Sequence, residues 1–414
     1  MSESDPVAPR RMVLLGAGAS APAGIPTAVE MTRKTAALLE DTTLRRAFNV
    51  VAGGIQMGAG WDALLGTDWQ VDIESVMNAA QLLANRFDAE LAPFVGTWHP
   101  VLEELEHQEF RTFGRTSLRS PPDRLPTTIA GRIDAGDLAN RVLRQNYEAF
   151  NGLREFLGRR PDGSLFVRLR EQLTQNLVKL TFLEDASSVT YLGPLIKAAE
   201  AGRMPVATLN YDNSVELAAD TFGVAYDRGI SGSEFVSTLQ RDGDARRAGN
   251  CFPYLKLHGS VDWFWKKLHL PRDKVPAHMI KTEFRQVPVA EMKDAKRRDS
   301  VTVNRFSEDL VVVFGGKNKL TAEGPFLDLL FWFKSELARC AQLIVIGYSF
   351  RDEHINHFIV SWFKADASRR MTVVSIKPDL ERAPLFAKLP PTDRKRVTIH
   401  HTRAEEAIPM LFPS

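Results

Sequence analysis

The chain has 414 residues, of which 44% are hydrophobic, 25% charged and 9% aromatic; this composition is typical of a globular protein and excludes a long disordered or fibrous one. Its 53 Lys and Arg residues are balanced by 51 Asp and Glu residues, for a formal net charge of +2. That balance gives no evidence of a phosphate-binding surface, so direct nucleic-acid binding is not indicated.

The two cysteines, Cys251 and Cys340, are too few for a disulfide framework or a four-cysteine zinc site within one chain. No apolar run approaches the roughly 20 residues that cross a bilayer. The apolar stretch after Arg10 and Arg11 is interrupted by Gly16, too early for the apolar core of a signal peptide. We therefore expect a cytoplasmic protein with no membrane association.

The N-terminal half begins with one strand and then becomes helical. Residues 12–15 form a short apolar run that predicts a buried strand, followed by a glycine-rich turn. From about residue 28 to 201 the pattern is mostly helical, with apolar residues three and four apart over 71–83, 138–157 and 165–183. Residues 117–126, rich in Pro, Ser and Arg, predict an exposed connection.

After residue 200 the chain alternates short β-branched runs with helical segments. The predicted strands lie at 205–209, 254–257, 310–314, 343–346, 371–376 and 396–399, and helices are predicted at 213–221, 326–340 and 354–363. This alternation predicts an α/β fold with a doubly wound, mainly parallel Rossmann-like sheet and a large helical insertion after the first βα unit.

We expect three segments along the chain. Residues 1–35 form the first βα unit of a Rossmann-like domain, residues 36–200 the helical insertion, and residues 201–414 the remainder of that domain. Residues 266–305, charged and loop-like, indicate a second excursion from the sheet.

Glycine and polar residues follow five predicted strands in succession. They occur at 16–26, 210–212, 258–260, 315–318 and 347–352. Ligands of open parallel sheets bind beyond the carboxyl ends of the strands, so this clustering predicts a ligand site at that edge.

The first of these turns fits the dinucleotide fingerprint in its alanine-terminated form, Gly16-x-Gly18-x-x-Ala21. A Gly/Ala-rich turn with no ligand remains an alternative. Because Pro22 and Pro26 interrupt the segment and Pro inside a helix costs roughly 3 kcal/mol, we expect an extended loop that arches over its ligand.

At this point the chain resembles the sirtuin (silent information regulator) family. The matching motifs are Gly-Ala-Gly-Ala-Ser at 16–20, Gly-Ile-Pro at 24–26, Thr-Leu-Asn-Tyr-Asp at 208–212, Leu-His-Gly-Ser at 257–260 and Gly-Tyr-Ser at 347–349. The fuller forms Lys-Leu-His-Gly-Ser-Val-Asp-Trp and Gly-Tyr-Ser-Phe-x-Asp-x-His-Ile-Asn are similar to the prokaryotic sirtuin-like NAD hydrolases of antiphage defence.

Two departures set this chain apart from sirtuin deacylases. It lacks their four-cysteine zinc module, so we expect no zinc, and Thr27 follows Gly-Ile-Pro where they carry Asp-Phe-Arg. The resemblance then implies an NAD glycohydrolase that releases nicotinamide and ADP-ribose, with NAD as substrate and water as acceptor, and that depletes NAD in an infected cell. Alternatives are an NAD-dependent deacylase or ADP-ribosyltransferase, or a non-catalytic NAD or ADP-ribose sensor that regulates a partner.

Breaking the nicotinamide–ribose bond develops positive charge at the ribose, so the site must position the sugar and supply a base. An ordinary histidine pKa of about 6.5 suits His258 to that role; its alternative is a structural histidine in a turn. Asn210 both donates and accepts hydrogen bonds, which suits holding a ribose hydroxyl and a water; its alternative is a helix cap.

The remaining predicted contacts follow from the resemblance. Asp212 has a binding or supporting role, with helix capping as its alternative, and Ser349 contacts phosphate or ribose, with a local turn as its alternative. Asp352 and Asn356 are expected near the adenosine half. The full set of cofactor contacts is Gly16, Ala17, Gly18, Ser20, Ile25, Pro26, Thr208, Asp212, Gly347, Ser349, Phe350, Asp352 and Asn356.

Other patterns are assigned structural roles. Asp72 and Glu74 lie at a helix start, where acidic residues complement the helix dipole, and residues 315–318 lack the full phosphate-loop pattern. His354 and His357 have no companions for a metal site. We expect the helical insertion to build a homo-oligomer or to dock a partner, which the resemblance suggests is a HerA-type hexameric ATPase.

Overall fold

A computed structural model describes residues 10–58, 71–84, 165–231, 234–235, 251–267, 282–286, 292–293, 308–312 and 325–413. Its strands are Arg11–Leu15 (β1), Val206–Thr208 (β2), Tyr226–Asp227 (β3), Ile230–Ser231 (β4), Glu234–Phe235 (β5), Phe252–Lys256 (β6), Gly259–Lys267 (β7), Thr282–Gln286 (β8), Glu308–Val312 (β9), Gln342–Ile346 (β10), Arg370–Val374 (β11) and Val397–His400 (β12).

The α-helices are Ala17–Ser20 (α1), Ala28–Ala37 (α2), Thr42–Gly58 (α3), Ile73–Ala84 (α4), Leu165–Thr181 (α5), Gly193–Gly202 (α6), Ser214–Phe222 (α7), Phe326–Ala338 (α8), Glu353–Ala365 (α9), Pro384–Ala387 (α10), Pro391–Arg394 (α11) and Ala404–Leu411 (α12). The helices predicted over 71–83 and 165–183 are confirmed by α4 and α5. The expectations for 117–126 and 138–157 lie outside the described residues.

Seven strands form one sheet in the order β12-β11-β10-β1-β2-β6-β3, and every neighbouring pair is parallel. From the central strand β1, the chain builds outward through β2 on one side and through β10 on the other. This arrangement confirms the predicted doubly wound parallel sheet.

The two faces of the sheet are buried by different helices. Met12 and Leu14 of β1 belong to one apolar cluster, together with side chains of α8 and α9. Val13 and Leu15 belong to a second cluster, with side chains of α6, α7 and α12. Because successive side chains of a strand point to opposite faces, helices on both sides explain the uninterrupted apolar run of β1.

One predicted strand of the parallel sheet is wrong. Residues 310–312 of the run expected at 310–314 lie in β9, which pairs antiparallel with β7 in a separate three-stranded sheet completed by β8; residues 313–314 lie outside the described residues. Its β-branched composition fits a pleated surface of either direction. The glycine-rich turn at 315–318 lies outside the described residues, as does most of the excursion expected at 266–305.

The chain divides into two compact units. One comprises residues 1–38, 55–78 and 173–414 and contains the parallel sheet, and the other comprises residues 39–54 and 79–172. Within the second unit, Arg168 forms an ion pair with Asp41 at 2.8 Å, and the guanidinium of Arg45 donates to the carbonyl of Leu39. No helix in the described ranges is long and apolar enough to cross a membrane.

Candidate active site

Four loops follow the carboxyl ends of adjacent strands in the parallel sheet. In register, Leu15 of β1 lies between Thr208 of β2 and Ile346 of β10, and Thr208 pairs with Lys256 of β6. The chain leaves all four strands at the same edge, so the loops that begin at residues 16, 209, 257 and 347 start side by side.

The loop after β1 is helical rather than extended. Its residues form the short α1 and then a 3-10 turn over Ala21–Ala23, and Gly24 reverses the chain with φ of +85°. The prediction of an extended loop is wrong because Pro22 lies in the first turn, where no intrahelical bond to its nitrogen is needed. Ile25 and Pro26 are buried behind this turn.

The glycines of this loop allow close packing against the loop after β10. A Cβ atom on Gly16 would lie 2.6 Å from the Cα of Tyr348, and one on Gly18 would lie 2.8 Å from the Cα of Gly347. The amide of Gly18 donates to the carbonyl of Gly347 at 2.9 Å. Contact between two backbones therefore accounts for these glycines, whereas Ala17 is exposed at the rim.

The carboxamide of Asn210 links the first two loops. Its Nδ2 donates to the carbonyl of Gly16 and to the hydroxyl of Ser20, both at 2.9 Å, and its backbone amide donates to the Thr208 hydroxyl. The side chain is partly exposed, and Oδ1 accepts no hydrogen bond from a residue that the structure describes. The oriented Oδ1 therefore remains as an acceptor for a water or a sugar hydroxyl.

The imidazole of His258 faces the carboxylate of Asp352. Nε2 of His258 lies 3.0 Å from Oδ2 of Asp352, and only 7% and 4% of the two side chains are exposed. Nδ1 of His258 is buried and has no hydrogen-bond partner among the described residues. A buried nitrogen of this kind costs free energy unless a ligand or water pairs with it.

Asp352 begins helix α9 and does not extend outward toward solvent. Its Oδ1 accepts from the amides of His354 and Ile355, as an N-cap does. One carboxylate oxygen of Asp352 thus caps the helix and the other faces His258, and its expected position near the adenosine half stays a prediction.

Asn356 and Phe350 are fully buried, and their expected contact with a cofactor stays a prediction. The Nδ2 of Asn356 donates to the carbonyl of Phe350 at 2.7 Å, and its Oδ1 accepts from the hydroxyl of Tyr348. Phe350 has φ of +56°, a conformation that costs of order 1–3 kcal/mol for a non-glycine residue. Asn356 therefore stabilises this strained turn.

Ser349 and Asp212 differ in how far their polar groups are satisfied. Neither the hydroxyl nor the backbone amide of Ser349 has a partner among the described residues, and the side chain is partly exposed, so the turn expected as its alternative is not formed. Asp212 is buried, and its Oδ1 accepts from the amide of Ser214 at the start of α7. Asp212 therefore binds the first amide of α7 from the position before the N-cap residue, Asn213, and is not itself the cap.

Beneath these loops lies a buried cluster of charges that sequence reasoning missed. Lys256 is fully buried and donates to the carbonyls of Tyr211 and Asp212, and it forms an ion pair with Glu216 at 2.9 Å. Lys256, two residues before His258 in the chain, therefore stabilises the turn that follows Asn210. In the sequence this lysine belongs to the Lys-Leu-His-Gly motif, which did not by itself indicate a role for it.

The same cluster includes a bidentate pair between Arg228 and Asp262, with both N–O distances at 3.0 Å. Burial alone would raise the pKa of Asp262, but the guanidinium of Arg228 outweighs it and lowers that pKa below its ordinary value. Burial would lower the pKa of Arg228, but Asp262 and then Glu216 raise it. Each charge is thus compensated by its neighbours.

Glu74 at the start of α4 is a second residue that sequence reasoning missed. Its carboxylate accepts from the hydroxyl of Tyr211 at 3.1 Å, next to Asn210 in the chain. Burial first and then Glu74 raise the pKa of Tyr211, so this hydroxyl remains a donor. The helix-start interpretation holds for Asp72, which accepts from the amide of Ser75. No local pattern indicates a contact across 137 residues.

A comparison with known protein families gives a match that covers the loops after β2, β6 and β10. Residues 205–390 match the family described as the SIR2-like domain. This span includes Asn210, His258 and the loop from Gly347 to Asp352, and it supports a sirtuin-like classification. No curated protein matches the chain.

Several solved structures are similar at low sequence identity. They include a Sir2 complex with a p53 peptide and NAD+ (12% identity, 97% of this chain and 91% of that chain, TM-score 0.38) and a mutant Sir2 homologue in complex with ADP-ribose (11%, 97% and 90%, 0.38). A third comes from a study of the mechanism and regulation of Sir2 enzymes (17%, 60% and 79%, 0.35).

Proposed function

We propose that this chain is an NAD glycohydrolase, which cleaves NAD with water to nicotinamide and ADP-ribose. The observation that carries the proposal is that the oriented carboxamide of Asn210 and the imidazole of His258 lie at the same sheet edge, and that Nδ1 of His258 has no hydrogen-bond partner among the described residues. The SIR2-like match over this region supports NAD as the molecule.

The residues of the site fit this substrate in chemical type. Asn210 Oδ1 accepts a hydrogen bond from a ribose hydroxyl or the attacking water, and the free hydroxyl and amide of Ser349 supply donors for phosphate or ribose. The amide of Gly18 is bonded to Gly347, so phosphate contacts fall to the loop after β10 more than to the first glycines. Ala17 and Ser20 contribute the wall of the first loop.

The proposed reaction breaks the bond between the nicotinamide nitrogen and the ribose carbon. Nicotinamide leaves with the electron pair of that bond and becomes neutral, and positive charge develops on the ribose. The oxygen of water bonds to the ribose carbon, and a proton of that water passes to His258. The products are nicotinamide, ADP-ribose and one proton, which His258 releases to solvent.

The test is incubation of the purified full chain with NAD and no peptide, with nicotinamide and ADP-ribose measured by chromatography. We expect His258→Ala to lower the rate by roughly 100-fold or more, as loss of a positioned acid–base group does. Asn210→Ala should also lower it, because the acceptor that positions the water or the ribose hydroxyl is lost. His357→Ala, an exposed histidine on α9, is the matched control and should keep the wild-type rate. Product formation only with an acyl-lysine peptide or an acceptor protein would replace hydrolysis by deacylation or ADP-ribosyl transfer.

The proposal extends to a cellular role in antiphage defence through loss of NAD, with the chain acting as a homo-oligomer and with a HerA-type hexameric ATPase. Support for this role is the resemblance of the motifs quoted above, together with a second compact unit outside the sheet. Full activity from a monomer, measured by light scattering alongside turnover, would contradict the need for assembly. A biological effect that survives His258→Ala without NAD loss would instead identify a sensor.

A further inference from the structure

The carboxylate of Asp352 has two oxygens with separate duties. Oδ1 is held by the amides of His354 and Ile355 at the first turn of α9. That bonding fixes the plane of the carboxylate and directs Oδ2 at Nε2 of His258, 3.0 Å away. The position of Asp352 is therefore set by its helix, and the imidazole meets an acceptor whose orientation does not depend on the histidine.

The contact joins loops from strands that are not neighbours. His258 follows β6 and Asp352 follows β10, and β1 and β2 lie between those two strands. Three inter-strand spacings of about 4.8 Å put the strand ends roughly 14 Å apart. The pair can meet only because both loops fold over the ends of β1 and β2, where Gly16 and Asn210 leave the sheet.

An ionised carboxylate only accepts hydrogen bonds, and a neutral imidazole has one donor and one acceptor nitrogen. The 3.0 Å contact between Nε2 of His258 and a carboxylate oxygen of Asp352 is favourable only when Nε2 carries the proton, which would leave Nδ1 as the basic atom. Nδ1 is the atom that is buried with no partner among the described residues. A carboxylate on the far side also stabilises the imidazolium that forms when Nδ1 takes a proton.

We propose that Asp352 is a positioning residue that fixes His258 with Nε2 protonated, so that Nδ1 receives the proton from the substrate water or ribose hydroxyl. This inference rests on the proposed NAD hydrolysis. It deepens that function by naming the basic nitrogen and the group that selects it, which a turn histidine without an oriented acceptor would lack.

The main variant is Asp352→Asn, because its carboxamide keeps the shape and the capping oxygen but loses the charge. We expect kcat to fall by up to about 10,000-fold, the loss seen when the orienting carboxylate of a histidine base is neutralised, with KM changed less than threefold.

Two further variants separate orientation from folding. Asp352→Ser keeps a capping oxygen at the start of α9 but removes the group that faces the histidine, and it should show the same loss of kcat. Asp366→Asn changes the matched residue at the other end of α9, where the aspartate accepts from Ser368; it should leave kcat unchanged.

A readout independent of turnover is the ¹⁵N spectrum of the histidine ring, assigned by comparison with His258→Ala. The neutral imidazole of the wild type should show Nε2 protonated and Nδ1 unprotonated, and Asp352→Asn should lose that preference. A wild-type spectrum with Nδ1 protonated, or an unchanged kcat in Asp352→Asn, would overturn the inference. Absence of NAD cleavage in the wild type would overturn the proposed function, while the spectrum would still decide the tautomer.

Discussion

Replacing Lys256 with Met tests whether the buried charge cluster secures the Asn210 loop. The substitution keeps an unbranched side chain of similar length, and it removes the ammonium group that donates to the carbonyls of Tyr211 and Asp212 and pairs with Glu216. Both carbonyls and one carboxylate lose a charged donor in a region where water does not replace it.

The expected loss follows from what remains around Glu216. Removing one partner of a buried ion pair destabilises a protein by about 3–5 kcal/mol, because the other charge is left uncompensated. Here Tyr254 still donates to Glu216 at 3.0 Å, and Arg228 lies 3.6 Å away, so partial compensation places the loss near the lower end, at about 3 kcal/mol. That is a large part of the 5–15 kcal/mol that stabilises a typical domain.

The assay is urea unfolding at pH 7 of the wild type, Lys256→Met and the control Lys34→Met, followed by circular dichroism. Lys34 forms an exposed pair with Glu30, which is worth at most about 0.5 kcal/mol. The double variant Lys256→Met with Glu216→Gln should recover part of the stability, because the uncompensated carboxylate is gone. A loss below 1 kcal/mol in Lys256→Met, or no recovery in the double variant, would refute the reasoning.

Three other predictions concern glycine packing, a buried thiol and acid stability. Gly347→Ala places a Cβ 2.3 Å from the backbone at a φ of +69°, so it should lower the free energy of unfolding more than Gly24→Ala does. At Gly24 φ is +85° but the space is open, so only the left-handed penalty of about 1–2 kcal/mol applies. Similar urea midpoints for the two variants would contradict this. Burial raises the pKa of Cys340 to about 12, so iodoacetamide at pH 8 should label Cys251 in the folded protein and Cys340 only after denaturation, as read by mass spectrometry; equal labelling of the folded protein would be inconsistent with that burial. The pKa of Asp262 is lowered in the folded state. Its carboxylate therefore stabilises the fold at pH above its ordinary pKa of about 3.9, and this stabilisation is lost as the pH falls through the folded pKa. Urea unfolding from pH 3 to 7 should show a flatter pH dependence of stability in Asp262→Asn, and an unchanged slope would disprove the linkage.

The parallel sheet could be predicted because its strands are buried on both faces and therefore appear in the sequence as short apolar runs. The order of the turns rich in Gly, Asn and His could also be predicted, because each turn directly follows one of these strands. The direction of β9 could not, because a β-branched run fits an antiparallel ribbon as well as a parallel sheet.

The chemistry between loops was less accessible from the sequence. The pairing of His258 with Asp352 joins residues 94 positions apart, and that of Tyr211 with Glu74 joins residues 137 apart. Both contacts depend on how the loops fold over the edge of the sheet, and this geometry cannot be deduced from the spacing of residues along the chain. The glycines at 16 and 18 were matched to a ligand fingerprint, whereas the backbone of a neighbouring loop is what lies against them.

The central place of β1 has a consequence for how the protein is made. This strand lies between β2 and β10, so its first partner is translated only after residues 16–205 and its second not until residue 342. At 5–20 residues per second, the first delay is roughly 10–40 s. During that time β1 has no partner strand, so the parallel sheet cannot begin to form until β2 has been synthesised.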